Sequence, residues 1–128
     1  NAVGLDTLMC FYNLPQSAFE SEVGCDLQKA LELPFTPYIV DGSKALIDKI
    51  GEDMIIGNTV TCPGFYAPQG REIRLPLKNP RLLESLNYYH KDDFWLTNFE
   101  METAGYYALG RLLGSFHILH IQDLPFGK

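Results

Sequence analysis

The chain has 128 residues, 46% of them hydrophobic, 20% charged and 12% aromatic, with a formal net charge of −6. That composition fits one globular domain, or part of one, with enough apolar material for a core. The acidic balance and the lack of a basic stripe exclude general binding to nucleic acid or anionic membranes, and no apolar run is long enough to cross a bilayer. A small molecule or another protein chain is the better partner.

Cys10, Cys25 and Cys62 are an odd number of thiols without paired spacing. They read as reduced cysteines, which makes the cytoplasm the expected compartment. The first residues carry no signal-like stretch. The chain opens on Asn1-Ala2-Val3-Gly4 rather than on Met, which suggests that something upstream is absent.

In chain order, residues 1–12 are apolar and read as a strand end running into a turn, and Asn13 to Gly24 read as a loop. Asp26 to Leu33 has a helical pattern stopped by Pro34. A short helix is expected over Ser43–Ile50, capped by Asp41 or Ser43 and closed by Gly51. Met54 to Cys62 is rich in β-branched residues and reads as a strand ended by Pro63-Gly64. Asn79-Pro80 starts a helix that reaches Tyr89. A last long helix is expected from about Glu100 to Leu113, closed by Gly114, followed by a strand over 117–121. Strands alternating with helices predict an α/β architecture.

Two segments could carry chemistry. The first, Pro63 to Arg71, follows a predicted strand, where the ligand loops of α/β folds tend to lie. Phe65 offers a ring face for stacking. Gln69 offers an acceptor and two donors, matching an imide edge, and Arg71 adds rigid donors with a fixed charge. A pyrimidine-dione edge is a natural partner. If the base departs with its bonding electrons, a guanidinium at its carbonyls favours the transition state over the ground state. A surface turn would use the same residue types.

The second segment is Asn98-Phe99-Glu100-Met101-Glu102-Thr103-Ala104. On a helix, positions i and i+2 point about 200° apart, so Glu100 and Glu102 are not expected to address one bond together. One carboxylate accepting from a ribose cis-diol would bind, orient and discriminate against deoxyribose. Acidic residues in a first helical turn also simply oppose the macrodipole.

Other signals carry less. Gly105 to Arg111 has phosphate-loop glycine spacing but lacks the Lys-Ser/Thr ending, and packing explains it. His117 and His120 fall on opposite faces of a predicted strand, which argues against a shared metal. Cys62 has no activating neighbour in sequence and reads as a buried thiol. There is no nucleophile elbow.

Together, Phe65-Tyr66 with Gln69-Gly70-Arg71 resembles the base-binding loop of uridine phosphorylases. The 98–104 segment resembles the ribose-binding helix start of the nucleoside phosphorylase family. The Gly4-Leu5-Asp6 opening and Leu33 to Tyr38 are similar to bacterial members, so the resemblance spans most of residues 1–114. It implies a three-layer α/β phosphorylase/hydrolase-like fold, with residues 1–128 forming a partial nucleoside phosphorylase domain, truncated at the N-terminus and perhaps the C-terminus.

By the same resemblance, Phe65 packs on uracil, Gln69 and Arg71 bind its edge, Met101 packs under the ribose and Glu102 binds the sugar hydroxyls. Glu100 is a lesser candidate for the same pocket. Arg71 and Glu102 would carry catalysis. The implied reaction is reversible attack of inorganic phosphate on the anomeric carbon of uridine in nucleoside salvage, with no cofactor and no metal. The family's phosphate-binding loop lies upstream of where this chain begins, and residues 122–128 do not resemble the family's continuation. Little activity is therefore expected from this chain alone, and a homo-oligomer is expected for a complete form. The alternatives are a purine nucleoside phosphorylase or water-using nucleosidase, and a non-catalytic fragment that only binds nucleoside or partner subunits.

Overall fold

A computed structural model describes residues 1–114. It contains a four-stranded mixed sheet in the order β2-β1-β3-β6, formed by β1 (Ala2–Gly4), β2 (Tyr38–Val40), β3 (Thr59–Thr61) and β6 (Asn98–Glu100). β1, β3 and β6 run parallel, with Gly4 opposite Thr61 and Thr61 opposite Glu100. β2 runs antiparallel to β1.

Side-chain alternation along these short strands sorts the core into two faces. On one, Val3, Ile39 and Val60 pack with Val23, Leu27 and Leu31 of α1 (Ala18–Leu31) and with Leu82 and Leu86 of α3 (Leu82–Tyr88). On the other, Ala2, Tyr38 and Val40 pack with Met9 and with Ala104 and Ala108 of α4 (Thr103–Leu113). The result is helices on both faces of the sheet, as expected of an α/β architecture. Gly4 belongs to the α4 face, where a Cβ would lie 2.2 Å from the Tyr38 ring; the missing side chain is what lets that ring lie over β1.

Several elements differ from the sequence expectations. The segment expected to be a loop over 13–24 is mostly helix, because α1 starts at Ala18 with a full capping box: the Ser17 hydroxyl accepts from the Glu20 amide and the Glu20 carboxylate accepts from the Ser17 amide. α1 ends at Leu31, with Glu32 in the left-handed region. The expected strand over 54–62 shortens to Thr59–Thr61. Ladder pairing begins only at Thr59, opposite Ala2 and Asn98. Apolar residues without a ladder partner stay outside, and Ile55 is fully exposed. α2 (Lys44–Ile50) is capped by Ser43 rather than Asp41. α3 begins two residues after Pro80, where the Asn79 side chain accepts from the Arg81 amide. β2 and the hairpin of β4 (His90–Lys91) and β5 (Phe94–Trp95) were not anticipated. The strand expected over 117–121 lies outside the described residues.

The helix expected from Glu100 is the largest correction. Asn98–Glu100 is strand β6, and α4 starts at Thr103. Backbone pairing with β3 prevails there over the local helical pattern of the sequence.

An ion-pair network ties the layers together at the far end of α4. Arg111 grips the Glu20 carboxylate with two nitrogens at 2.8 and 2.9 Å, reaches Asp41 at 2.6 Å and donates to the Pro15 carbonyl. Burial alone would raise the Glu20 pKa, but the Arg111 guanidinium and the Ser17 bonds outweigh it and hold the carboxyl below its ordinary value.

Replacing Arg111 with Met strands the Glu20 charge. Partial solvent access at Arg111 moderates the cost, so a loss of about 2–3 kcal/mol in urea unfolding is expected. A change below about 0.5 kcal/mol, the scale of an ordinary surface substitution, would contradict that role.

Candidate functional site

Because β1, β3 and β6 are parallel neighbours, their carboxyl ends emerge along one edge of the sheet. The ladder continues past the strand ends, with the Leu5 amide donating to the Thr61 carbonyl and the Cys62 amide to the Glu100 carbonyl, each at 2.9 Å. Three chain segments therefore leave the sheet side by side: Leu5-Asp6-Thr7, Cys62 to Arg71, and Met101-Glu102. This is the edge at which α/β folds bind ligands.

A cleft of about 420 Å³ opens there, lined by Asp6, Thr7, Leu8, Tyr38, Thr61, Pro63, Met101, Glu102, Gly105, Tyr106 and Leu109, a size ordinary for small-ligand sites. Of the residues expected from sequence, Met101 and Glu102 line it. The Tyr38 hydroxyl donates to Asp6 at 2.9 Å, which fixes both at the wall. Among the described residues no Lys or Arg lines this cleft. Its carboxylates give it an acidic character.

Phe65, Gln69 and Arg71 do not line the cleft. They form a compact clasp that follows Pro63, itself a lining residue of the cleft, in sequence. A 3-10 turn over Ala67–Gln69 ends at Gly70, whose φ of 79° suits glycine. A Cβ on Gly70 would lie 2.6 Å from Leu83 Cγ. Arg71 Nη1 donates to the Phe65 carbonyl and to Gln69 Oε1, both at 2.7 Å, and the guanidinium carbon stands 4.0 Å from the Phe65 ring centroid. One face of Phe65 is thus covered by a cation–π contact.

The Arg71 bond also settles which way the Gln69 amide points, since only its oxygen can accept from a guanidinium. The Gln69 NH2 group then faces away from Arg71. Gln69 is only 5% exposed, and this NH2 has no hydrogen-bond partner among the described residues.

Glu100 and Glu102 separate by backbone conformation, not by the helical angle expected from sequence. Glu100 ends β6 and turns its carboxylate inward. Its Oε2 accepts from the amides of Glu102 at 2.8 Å and Thr103 at 2.7 Å, and its Oε1 accepts from the Thr61 hydroxyl. Burial pushes the Glu100 pKa up, but the bonds from Thr61, Thr103 and Glu102 prevail and hold it below the ordinary carboxylate value. Glu102 is the N-cap residue of α4, yet its own side chain makes no capping bond, and its carboxylate has no partner among the described residues.

Thr61, Asp6 and Tyr38 were missed in the sequence. Thr59-Val60-Thr61 does signal the first, because alternation places both threonines on the face opposite Val60. Asp6 and Tyr38 end the two segments similar to bacterial members, but neither was assigned a role there, and they meet through the β1–β2 pairing. Cys62 is fully buried, and burial, then the charges of Glu100 and Asp6, push its thiol up to about 12. That makes it an inert thiol at neutral pH. Among the described residues no His, Cys, Asp and Glu side chains are grouped to hold a metal ion, and no helix is long and apolar enough to cross a membrane.

No family model and no curated protein matches the chain. The fold is similar to that of a nucleoside phosphorylase from Trypanosoma brucei, whose structure is described as showing uridine phosphorylase activity. The two share 23% identity at a TM-score of 0.67, over 88% of this chain and 43% of that one. That likeness is one of fold alone, and the chain spans less than half the length of that protein.

The lowered Glu100 pKa sets a pH dependence. Its contribution to stability is complete above the unfolded carboxylate pKa of about 4.3 and is lost as pH falls through the lower folded value. The stability difference between wild type and Glu100→Gln is therefore expected to be largest near neutrality and to shrink as pH drops below about 4.3. A difference that stays constant in urea unfolding from neutral pH to pH 3 would contradict the assignment.

Proposed function

We propose that this chain carries the base- and ribose-binding part of a uridine phosphorylase-type site. Two polar groups near one sheet edge carry this reading: the Gln69 NH2 and the Glu102 carboxylate, each without a partner among the described residues. A buried donor without a partner is uncommon in folded proteins, and the exposed Glu102 carboxylate at the cleft wall is free to accept from a ligand.

The chemistry of the two groups differs. The Gln69 amide can donate to a base carbonyl, and its oxygen keeps a second lone pair for an imide N–H while Arg71 holds the first. The remaining Arg71 donors are available for the other carbonyl. Glu102 can accept from two sugar hydroxyls, with Met101 packing beneath the ring, so a ribonucleoside suits this site better than a deoxyribonucleoside. Phe65 can stack a base on the ring face that Arg71 leaves open.

In the proposed reaction, an oxygen of inorganic phosphate forms a bond to the anomeric carbon as the glycosidic C–N bond breaks. The bonding pair passes to the base. The Arg71 charge stabilises the resulting carbonyl anion more than the neutral ground state, and Glu102 holds the sugar against rotation. No cofactor is invoked.

The acidic cleft offers phosphate no cationic seat, so this chain is proposed to bind uridine but to turn it over poorly by itself. The exposed Met54-Ile55-Ile56 run supports self-association of the chain, since contiguous exposed apolar surface favours it.

Calorimetry is expected to detect uridine binding to the wild-type chain, with Arg71→Ala and Glu102→Ala each weakening it about tenfold, the equivalent of one charge-assisted hydrogen bond. Equal binding to all three proteins would defeat the site assignment. Uracil release from uridine that proceeds equally without phosphate would favour a nucleosidase instead.

A further inference from the structure

We infer that Glu100 is a positioning residue for Glu102: it caps α4 in place of Glu102 and so keeps the Glu102 carboxylate free to face the cleft. This rests on the reading of Glu102 as the ribose-binding group.

A helix start leaves backbone amides without partners, and the N-cap side chain is their usual acceptor. In α4 that position belongs to Glu102. Here the strands supply the acceptors instead. Glu100 Oε2 takes the amides of Glu102 and Thr103, and Thr61 Oγ1 takes the Ala104 amide at 2.9 Å. The Thr61 hydroxyl passes its own proton toward Glu100 Oε1, and Thr59 Oγ1 approaches the same oxygen at 3.3 Å. One carboxylate therefore closes a network that runs from β3 through β6 to the first turn of α4.

The amides of Glu102, Thr103 and Ala104 are thus occupied before the Glu102 side chain can reach back. Without the Glu100 charge, those amides would seek the nearest acceptor, and Glu102 is that acceptor. A Glu102 carboxylate drawn onto the helix start is lost to the sugar, whereas the Gln69–Arg71 clasp keeps its own contacts.

The test is a mutant cycle read by calorimetry with uridine and with uracil, which lacks the sugar. Glu100→Gln is expected to weaken uridine about tenfold and to leave uracil binding unchanged. Adding Glu100→Gln to Glu102→Ala is expected to cause no further loss, because the first residue acts only through the second. Amide exchange at Glu102 and Thr103 should accelerate in Glu100→Gln.

Thr61→Val removes one arm of the network and keeps both carboxylates. It should weaken uridine about threefold, again without changing uracil binding, and it serves as the second measure should Glu100→Gln fold poorly. Independent, additive losses in the double variant, or unchanged uridine affinity in both Glu100→Gln and Thr61→Val, would overturn the inference while leaving the ribose role of Glu102 intact. Unchanged uridine affinity in Glu102→Ala would instead remove the reading on which it rests.

Discussion

The parallel pairing of β1, β3 and β6 is the constraint on which the site depends. It brings the carboxyl ends of three strands, separated by dozens of residues in sequence, to one edge, with Thr61 opposite Glu100 and Gly4 opposite Thr61. A slip of one residue would turn Thr61 and Glu100 to the opposite face of the sheet and leave the amides of α4 without their acceptors. The same pairing sets the clasp of Phe65, Gln69 and Arg71 one strand away from Met101 and Glu102.

Charge placement follows from that register. Glu100 and Glu102 are two residues apart, but one is consumed by backbone amides and a threonine while the other is left unpaired. At the other end of α4, Glu20 is consumed by Arg111. Among the described residues each partly or fully buried carboxylate therefore has a donor set, whereas the Glu102 carboxylate is exposed at the cleft and keeps its oxygens free. In the clasp, the guanidinium of Arg71 plays an analogous part by fixing the Gln69 amide in one orientation before any ligand arrives.

Much of this was legible in the residues, and the losses have physical causes. Helix α2 and its Gly51 end could be read locally, because Ser43 and the apolar face lie within one short segment. The clasp and the 98–104 segment drew notice through residue types suited to a base and a sugar. The start of α1 was equally local, since Ser17 and Glu20 carry the capping-box pattern, and was overlooked among small polar residues. β6 was not local: Asn98-Phe99-Glu100 becomes a strand only because β3 lies beside it. For the same reason the role of Glu100 was invisible, as its partner Thr61 lies 39 residues earlier. Residues 54–58 mark the converse case, in which strand-like composition finds no ladder.

The most direct measurement is nuclear magnetic resonance of the isotopically labelled chain titrated with uridine. The expected result is that amide signals of residues 64–71 and of 101–106 shift together, with one common saturation curve. Shifts confined to one of these segments, or found only elsewhere in the chain, would contradict a single site that holds base and sugar at this edge of the sheet.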